Sequence, residues 1–208
     1  MSTAHPDDRT ARARIRDAAL FCFARDGFAA PLRVIAEVAG VSVPLITHHY
    51  GTKDALRQTC DDYVLERYAD LKLLAIQQPS TVGATLDDSA DISVIMVYVM
   101  RCFLDAAPAA RTFFDHFVEQ TRTVFDAARA AGMVNPAPDE EERLRVLAAQ
   151  AIGSLLVQFA IDPPADPRRF IDQSYNTRAM LAQLDLYTHP VLVASATKSY
   201  LDSLEHRQ

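Results

Sequence analysis

Apolar residues along this chain recur at steps of three and four almost throughout, and alternating runs of β-branched residues are nearly absent. That period matches the 3.6-residue turn of a helix and not the two-residue pleat of a strand, so an all-α fold is expected. From about Asp8 to Asp26, Ile15, Ala18, Ala19, Cys22 and Phe23 form one apolar face. Gly27 ends this helix as a left-handed cap would. Pro31 then opens a short second helix, where its missing N–H costs nothing, and this runs to about Ala39. Gly40 turns the chain, Ser42 caps a third helix with Pro44 in its first turn, and Gly51 closes it. A long helix follows from about Lys53 to Ile76, and polar Pro79 to Asp91 reads as a loop. Further helices are expected at about Ile92 to Ala106, with a break near Pro108, and at about Ala109 to Ala131. After a linker at Asn135 to Pro138 come Asp139 to Ile161, a stop at Pro163-Pro164, then Arg168 to Leu184 and Val191 to Leu204. The total is about nine or ten helices, divided as residues 8–52 and 53–208.

The 208 residues are half hydrophobic, enough for a substantial core. A net charge of −6 argues against a protein that coats nucleic acid over its whole surface. The charge is uneven: up to Arg57 there are eight Lys/Arg against six Asp/Glu, and thereafter thirteen against twenty-one. A mildly basic head on an acidic body suits contact with a polyanion at one end only. Cys22, Cys60 and Cys102 are far apart and set in apolar helical surroundings, as small core residues of a reducing compartment are. The N-terminal residues lack the apolar core of a secretion signal. The most apolar stretch, Ile92 to Leu104, is interrupted by Arg101 and too short to span a bilayer. A cytoplasmic protein with no membrane partner is expected.

The segment from Leu32 to Tyr50, LRVIAEVAGVSVPLITHHY, has the spacing of a helix-turn-helix. Two helices crossing steeply need a small residue at their contact, which Ala36 supplies, and a sharp reversal, which Gly40 permits. Ile35, Ala39, Val41 and Ile46 would lock the second helix on the first. They leave Ser42, Thr47, His48 and His49 outside, a polar face of the kind that enters the major groove of DNA. This second helix carries no Arg or Lys, so bidentate reading of guanine is unavailable to it. Base preference would then rest on apolar and histidine contacts, DNA shape, and the arm containing Arg9, Arg12, Arg14 and Arg16.

These residues carry a family resemblance. IRDAALFCFARDGF from Ile15, LRVIAEVAGVS from Leu32 and LITHHYGTKDAL from Leu45 resemble the DNA-binding domain of the TetR (tetracycline-repressor) family of bacterial regulators. The match covers about a fifth of the chain. It departs from the common pattern in a Phe28 to Leu32 segment one residue short, with Pro31 where a capping Thr is frequent. The resemblance implies that Arg33, Tyr50 and Lys53 contact backbone phosphates, aided by amides at the start of the fourth helix. It also implies that Ser42, Val43, Pro44, Thr47, His48 and His49 form the recognition surface, with Val43 and Pro44 meeting thymine methyls.

A single helix-turn-helix covers few base pairs. Two copies about 34–36 Å apart on a palindromic double-stranded operator, hence a homodimer, are therefore expected, and the resemblance agrees. The helix from Leu144 is apolar nearly all round, and Leu144, Ala148, Ala151, Ile152 and Leu155 are the candidate dimer residues, paired with one of the last two helices. Aromatic and methionine residues crowd the middle helices. Since regulators of this family usually hold an apolar ligand there, Tyr68, Met100, Phe103, Phe117 and Phe159 are the candidate lining for a hydrophobic small-molecule effector. The expected behaviour is that of a repressor released from its operator by this effector. The alternatives are a DNA-binding regulator with no small-molecule ligand, or an activator. No catalytic residues, cofactor or metal are expected: nucleophile elbow, phosphate-binding loop and metal spacing are missing, and His116 and Glu119 find no third ligand. Asp139 to Glu142 read as a solvated helix start, and Asp61-Asp62 as facing water.

Overall fold

A computed structural model describes residues 6–78, 80, 90–105, 107–171, 177–189, 191, 197–198 and 201–203. The fold is all-α. In chain order the elements are α1 (Pro6–Asp26), α2 (Leu32–Ala39), α3 (Val43–Tyr50), α4 (Lys53–Gln77), α5 (Ala90–Leu104), α6 (Ala107–Ala130), α7 (Glu140–Ile161), a 3₁₀ turn (Pro167–Arg169) and α8 (Thr177–Thr188). The break expected near Pro108 falls between α5 and α6, just before Pro108 itself. Pro108 lies in the first turn of α6, where a proline leaves no intrahelical bond unmade. The expected helix from Arg168 opens as the 3₁₀ turn, and residues 172–176 lie outside the described set. So does most of the expected Val191 to Leu204 helix.

The chain divides into two compact units, Met1–Ser174 and Tyr175–Gln208. The first holds α1 to α7. At its centre α1 packs against α2, α3, α4 and α5, burying Ile15, Ala19, Cys22 and Phe23 completely. Behind it α4 lies on α6, and α5 is surrounded by α1, α6, α7 and the 3₁₀ turn. The second unit contributes α8, which exposes Leu181, Leu184, Leu186 and Tyr187.

Polar groups bind α5 to its neighbours. The Tyr98 hydroxyl, on a fully buried ring, donates to Asp61 Oδ1 of α4 at 2.6 Å. The Cys102 thiol lies 3.7 Å from the same oxygen, and Arg57 of α4 pairs with Asp105 at 2.7 Å. Asp61 therefore does not face water as expected; it is half-buried against α5, while Asp62 is exposed. Burial raises the Asp61 carboxyl above its ordinary value, opposed by the Tyr98 hydroxyl, Arg57 and Cys102. Burial likewise pushes the Cys60 and Cys102 thiols up, which leaves them as inert core groups.

This bond makes a measurable contribution. Tyr98→Phe keeps the ring and removes the donor, so unfolding free energy in urea should fall by about 1–3 kcal/mol at neutral pH. The hydroxyl favours the ionised carboxylate, so its contribution is present above the raised value of Asp61 and fades as pH falls through it. A deficit that stays constant from neutral to acid pH would show that the hydroxyl acts through packing alone.

Candidate nucleic-acid interface

The helix-turn-helix is built from two eight-residue helices, too short to persist without packing. Gly40, at φ +64°, ends α2, and its amide reaches back to the carbonyls of Ala36 and Glu37. The Val41 amide bonds Ala36 O at 2.9 Å, which completes the reversal. A left-handed residue is required here, and glycine adopts it without the Cβ clash any other side chain would bring. Ser42 then caps α3, its Oγ accepting from the Leu45 amide, and Pro44 falls in the first turn. Pro31 occupies the cap position of α2 itself, one residue earlier than the sequence reading placed it, with no side-chain capping bond.

Burial sorts the faces. Ile35, Ala36, Ala39 and Ile46 enter the core, with Val41 and Val43 packed against it. Ser42, Pro44, Thr47 and His48 are exposed along one edge of α3. Val43 and His49 are half-buried, the His49 ring lying edge-on between those of His48 and Tyr50. Thr47 returns its hydroxyl to the Val43 carbonyl at 3.3 Å, leaving its methyl and an oxygen lone pair facing out.

Of the three expected phosphate contacts, Arg33 is exposed on the first turn of α2. Lys53 begins α4, its ammonium 5.9 Å from the Phe23 ring, and Thr52 caps the same helix by accepting from Ala55 N at 3.0 Å. Tyr50 is placed differently. It is only 8% exposed, and its hydroxyl donates to the Arg12 carbonyl of α1 at 2.7 Å. Its proton is thus committed inside the head, where it joins α3 to α1, with the Arg12 guanidinium lying over the ring.

The body candidates do not share one site. Met100, Phe117 and Phe159 fill the packed core, and Tyr68 stacks on Phe117 with ring centres 4.6 Å apart. Phe103 alone of the five lines an open groove of about 330 Å³ between α5, α6 and α7, with Ala110, Phe114, Ala149, Ile152, Gly153 and Leu156. On α7, Leu144, Ala148 and Ile152 are 1, 2 and 6% exposed, and Ala151 and Leu155 lie beside them on the inward face. Leu144, Ala148 and Ile152 are thus buried, while Ala151 and Leu155 are half-buried. The outward stripe of the same helix is Val146, Val157 and Ile161, with Val157 56% and Ile161 76% exposed. Sequence reasoning passed over this stripe because a helix apolar all round does not announce which side is covered. Among the described residues α7 is long and apolar enough by length and composition to cross a membrane, whereas the more apolar α5 is too short. Among the described residues no three His, Cys, Asp or Glu side chains group as a metal site, and Glu119 pairs with Arg122 instead.

Known proteins give this geometry its setting. Residues 15–60 match the family model described as bacterial regulatory proteins, tetR family, and residues 91–193 match the tetracyclin repressor-like C-terminal domain. The chain is 34% identical over 192 residues, 91% of its length and 90% of the relative's, to the HTH-type transcriptional regulatory protein RaaS of Mycobacterium tuberculosis. In fold it is similar to a TetR-family transcriptional regulator from Rhodococcus sp., at TM-score 0.54 and 17% identity over 86% of this chain and 98% of that one. Salmonella enterica GusR is similar at TM-score 0.52 and 21% identity, over 87% and 97% of the two chains. Two halves of one family's architecture and a relative alike along nearly the whole length lead to a single conclusion: the chain belongs to the TetR family of DNA-binding transcriptional regulators.

Proposed function

We propose that the protein is a cytoplasmic homodimer that binds a palindromic operator through α3 and represses transcription until a hydrophobic small molecule releases it. The observation that carries the reading is the exposed edge Ser42, Pro44, Thr47 and His48 on a helix pinned from behind by Ile46 and Tyr50. Such an edge is narrow enough for the major groove and held firmly enough to keep its register. Thr47 and His48 hydrogen-bond to base edges, Pro44 and the partly exposed Val43 meet thymine methyls, and His49 backs His48. Arg33 and Lys53 flank the edge and contact phosphates, with the capped amides that open α4 adding to the anion site. Tyr50 acts as a strut in this scheme.

The partner surface on the first unit is the outward stripe of α7. Val146, Val157 and Ile161 are large apolar side chains at helical spacing on one face. The effector occupies the groove around Phe103, whose lining is apolar and carries no charge. It acts by binding the released form better than the DNA-bound one, by about 1–3 kcal/mol for ordinary coupling. A second reading, in which the body only dimerises, draws on the tight packing of Met100, Phe117 and Phe159 and the openness of the groove.

Selection of bound fragments from random duplexes, followed by anisotropy titration on the recovered operator, tests the reading. Affinity should fall steeply as salt rises, because phosphate contacts release counterions. Lys53→Ala should weaken all duplexes by a common factor, while Thr47→Ala or His48→Ala should change base preference, each contact contributing about 1–3 kcal/mol of discrimination. Unaltered binding by Lys53→Ala would refute the phosphate assignment. For the partner surface, Val157→Glu should shift the sedimenting species from dimer to monomer and abolish high-affinity operator binding. A dimer that survives this charge has its interface elsewhere. Failure of any lipophilic extract to lower operator affinity would favour the ligand-free reading.

A further inference from the structure

The chemistry joining α5 to α1 is concentrated in one side chain. Helix α1 ends at Asp26, so the carbonyls of Ala24 and Arg25 have no intrahelical amide to accept from. Arg101 supplies both donors. Its Nε bonds Ala24 O and its Nη2 bonds Arg25 O, each at 3.1 Å, from a half-buried position on α5. A cation at the carboxyl end of a helix also meets the negative end of the macrodipole. The same guanidinium lies over the Phe159 ring of α7, 5.1 Å from its centre, and Phe159 packs in turn on Phe170. Two turns earlier on α7, Ile152 lines the groove that Phe103 of α5 shares. From α5 Arg101 therefore touches two other helices at once, and one of them, α1, is the central rod of the head.

The other end of that rod is tied to the recognition helix. Tyr50 of α3 donates to Arg12 O, twelve residues before Ala24. At 1.5 Å per residue the two ties stand about 18 Å apart. A tilt of about 5° about the Arg101 end moves the Arg12 end by roughly 1.6 Å over that length. In a two-fold dimer the two displacements add to roughly 3 Å, close to the 3.4 Å rise of one base pair.

We propose that Arg101 is a positioning residue for operator recognition: gripping the end of α1 while resting on Phe159 of α7, it sets the attitude of α3 and thereby the separation of half-sites that a dimer accepts. This rests on the dimeric DNA-binding reading above. Its fork of donors is what the role needs, because two adjacent carbonyls are held in one orientation, which a single ammonium does not achieve.

The experiment uses the full-length protein and the selected operator, with the central spacer shortened or lengthened by one base pair, alongside a duplex carrying one half-site. Wild type should bind the altered spacers about tenfold more weakly than the selected one, within the ordinary range of coupling between sites. Arg101→Met keeps the stem and removes the donors. It should flatten that preference to less than about threefold while leaving single half-site affinity within about twofold, with Arg101→Lys between the two. Thermal melting and sedimentation establish that each variant folds and dimerises. Should Arg101→Met fail to fold, Arg101→Lys and Phe159→Leu carry the same expectation of a flattened profile. A loss of affinity by one common factor at every spacer, or an unchanged profile in folded variants, overturns the assignment. Wild type that binds no duplex at all sinks the DNA-binding reading, and this assignment with it.

Discussion

Two helices of eight residues cannot hold their own shape in water, because each has barely enough hydrogen bonds to offset the cost of starting a helix. Everything the head does depends on α1 supplying the missing stabilisation. Its fully buried Ile15, Ala19, Cys22 and Phe23 give α2, α3 and α4 a common surface, and removing any of those contacts exposes apolar area on several helices together. The head is thus a cooperative unit in which α3 has an orientation only because α1 has one. The turn between α2 and α3 adds a second constraint, since the φ of +64° at Gly40 fixes the angle at which the two helices leave each other.

Polar ties then settle what apolar packing leaves free. Hydrophobic contact is tolerant of sliding and rotation, whereas a hydrogen bond to a named carbonyl is not. Tyr50 to Arg12 O fixes α3 along α1, Tyr98 to Asp61 fixes α5 along α4, and Arg101 to Ala24 O and Arg25 O fixes α5 at the end of α1. All but the Arg101 to Arg25 O bond are partly buried, where an unmade bond costs more than at the surface. By contrast the ion pairs between α6 and α7, such as Arg122 with Glu141 and Arg145 with Asp115, sit in solvent and contribute little. The ties of Tyr50, Arg101 and Tyr98 link α3 to α1, α1 to α5 and α5 to α4.

The sequence was most legible where the local chemistry allows one answer. Gly40, Ser42 and Ile46 each have a backbone or burial requirement that few other residues meet, and their spacing placed the turn and cap of the head within a residue. Pro31 slipped by one position because a proline fits the cap and the first helical turn almost equally well. Legibility fell where the decision belongs to tertiary packing. Asp61 was read as solvated because an adjacent pair of aspartates usually is, yet Tyr98, thirty-seven residues away, makes its half-buried place tenable. Arg101 registered only as an interruption in an apolar stretch. Nothing local to it says that two orphan carbonyls of α1 will stand opposite.

The same difficulty explains α7. Its residues are apolar on both faces, so periodicity identifies a helix and then gives no direction. Placed in the fold, Leu144, Ala148 and Phe159 go inward and Val146, Val157 and Ile161 remain out. A helix that is apolar on a face its own chain leaves uncovered is a poor surface for an isolated molecule and a good one for an assembly. The inward face of this helix also carries Phe159 beneath Arg101, so in the proposed dimer the surface that associates lies one side chain away from the tie to α1.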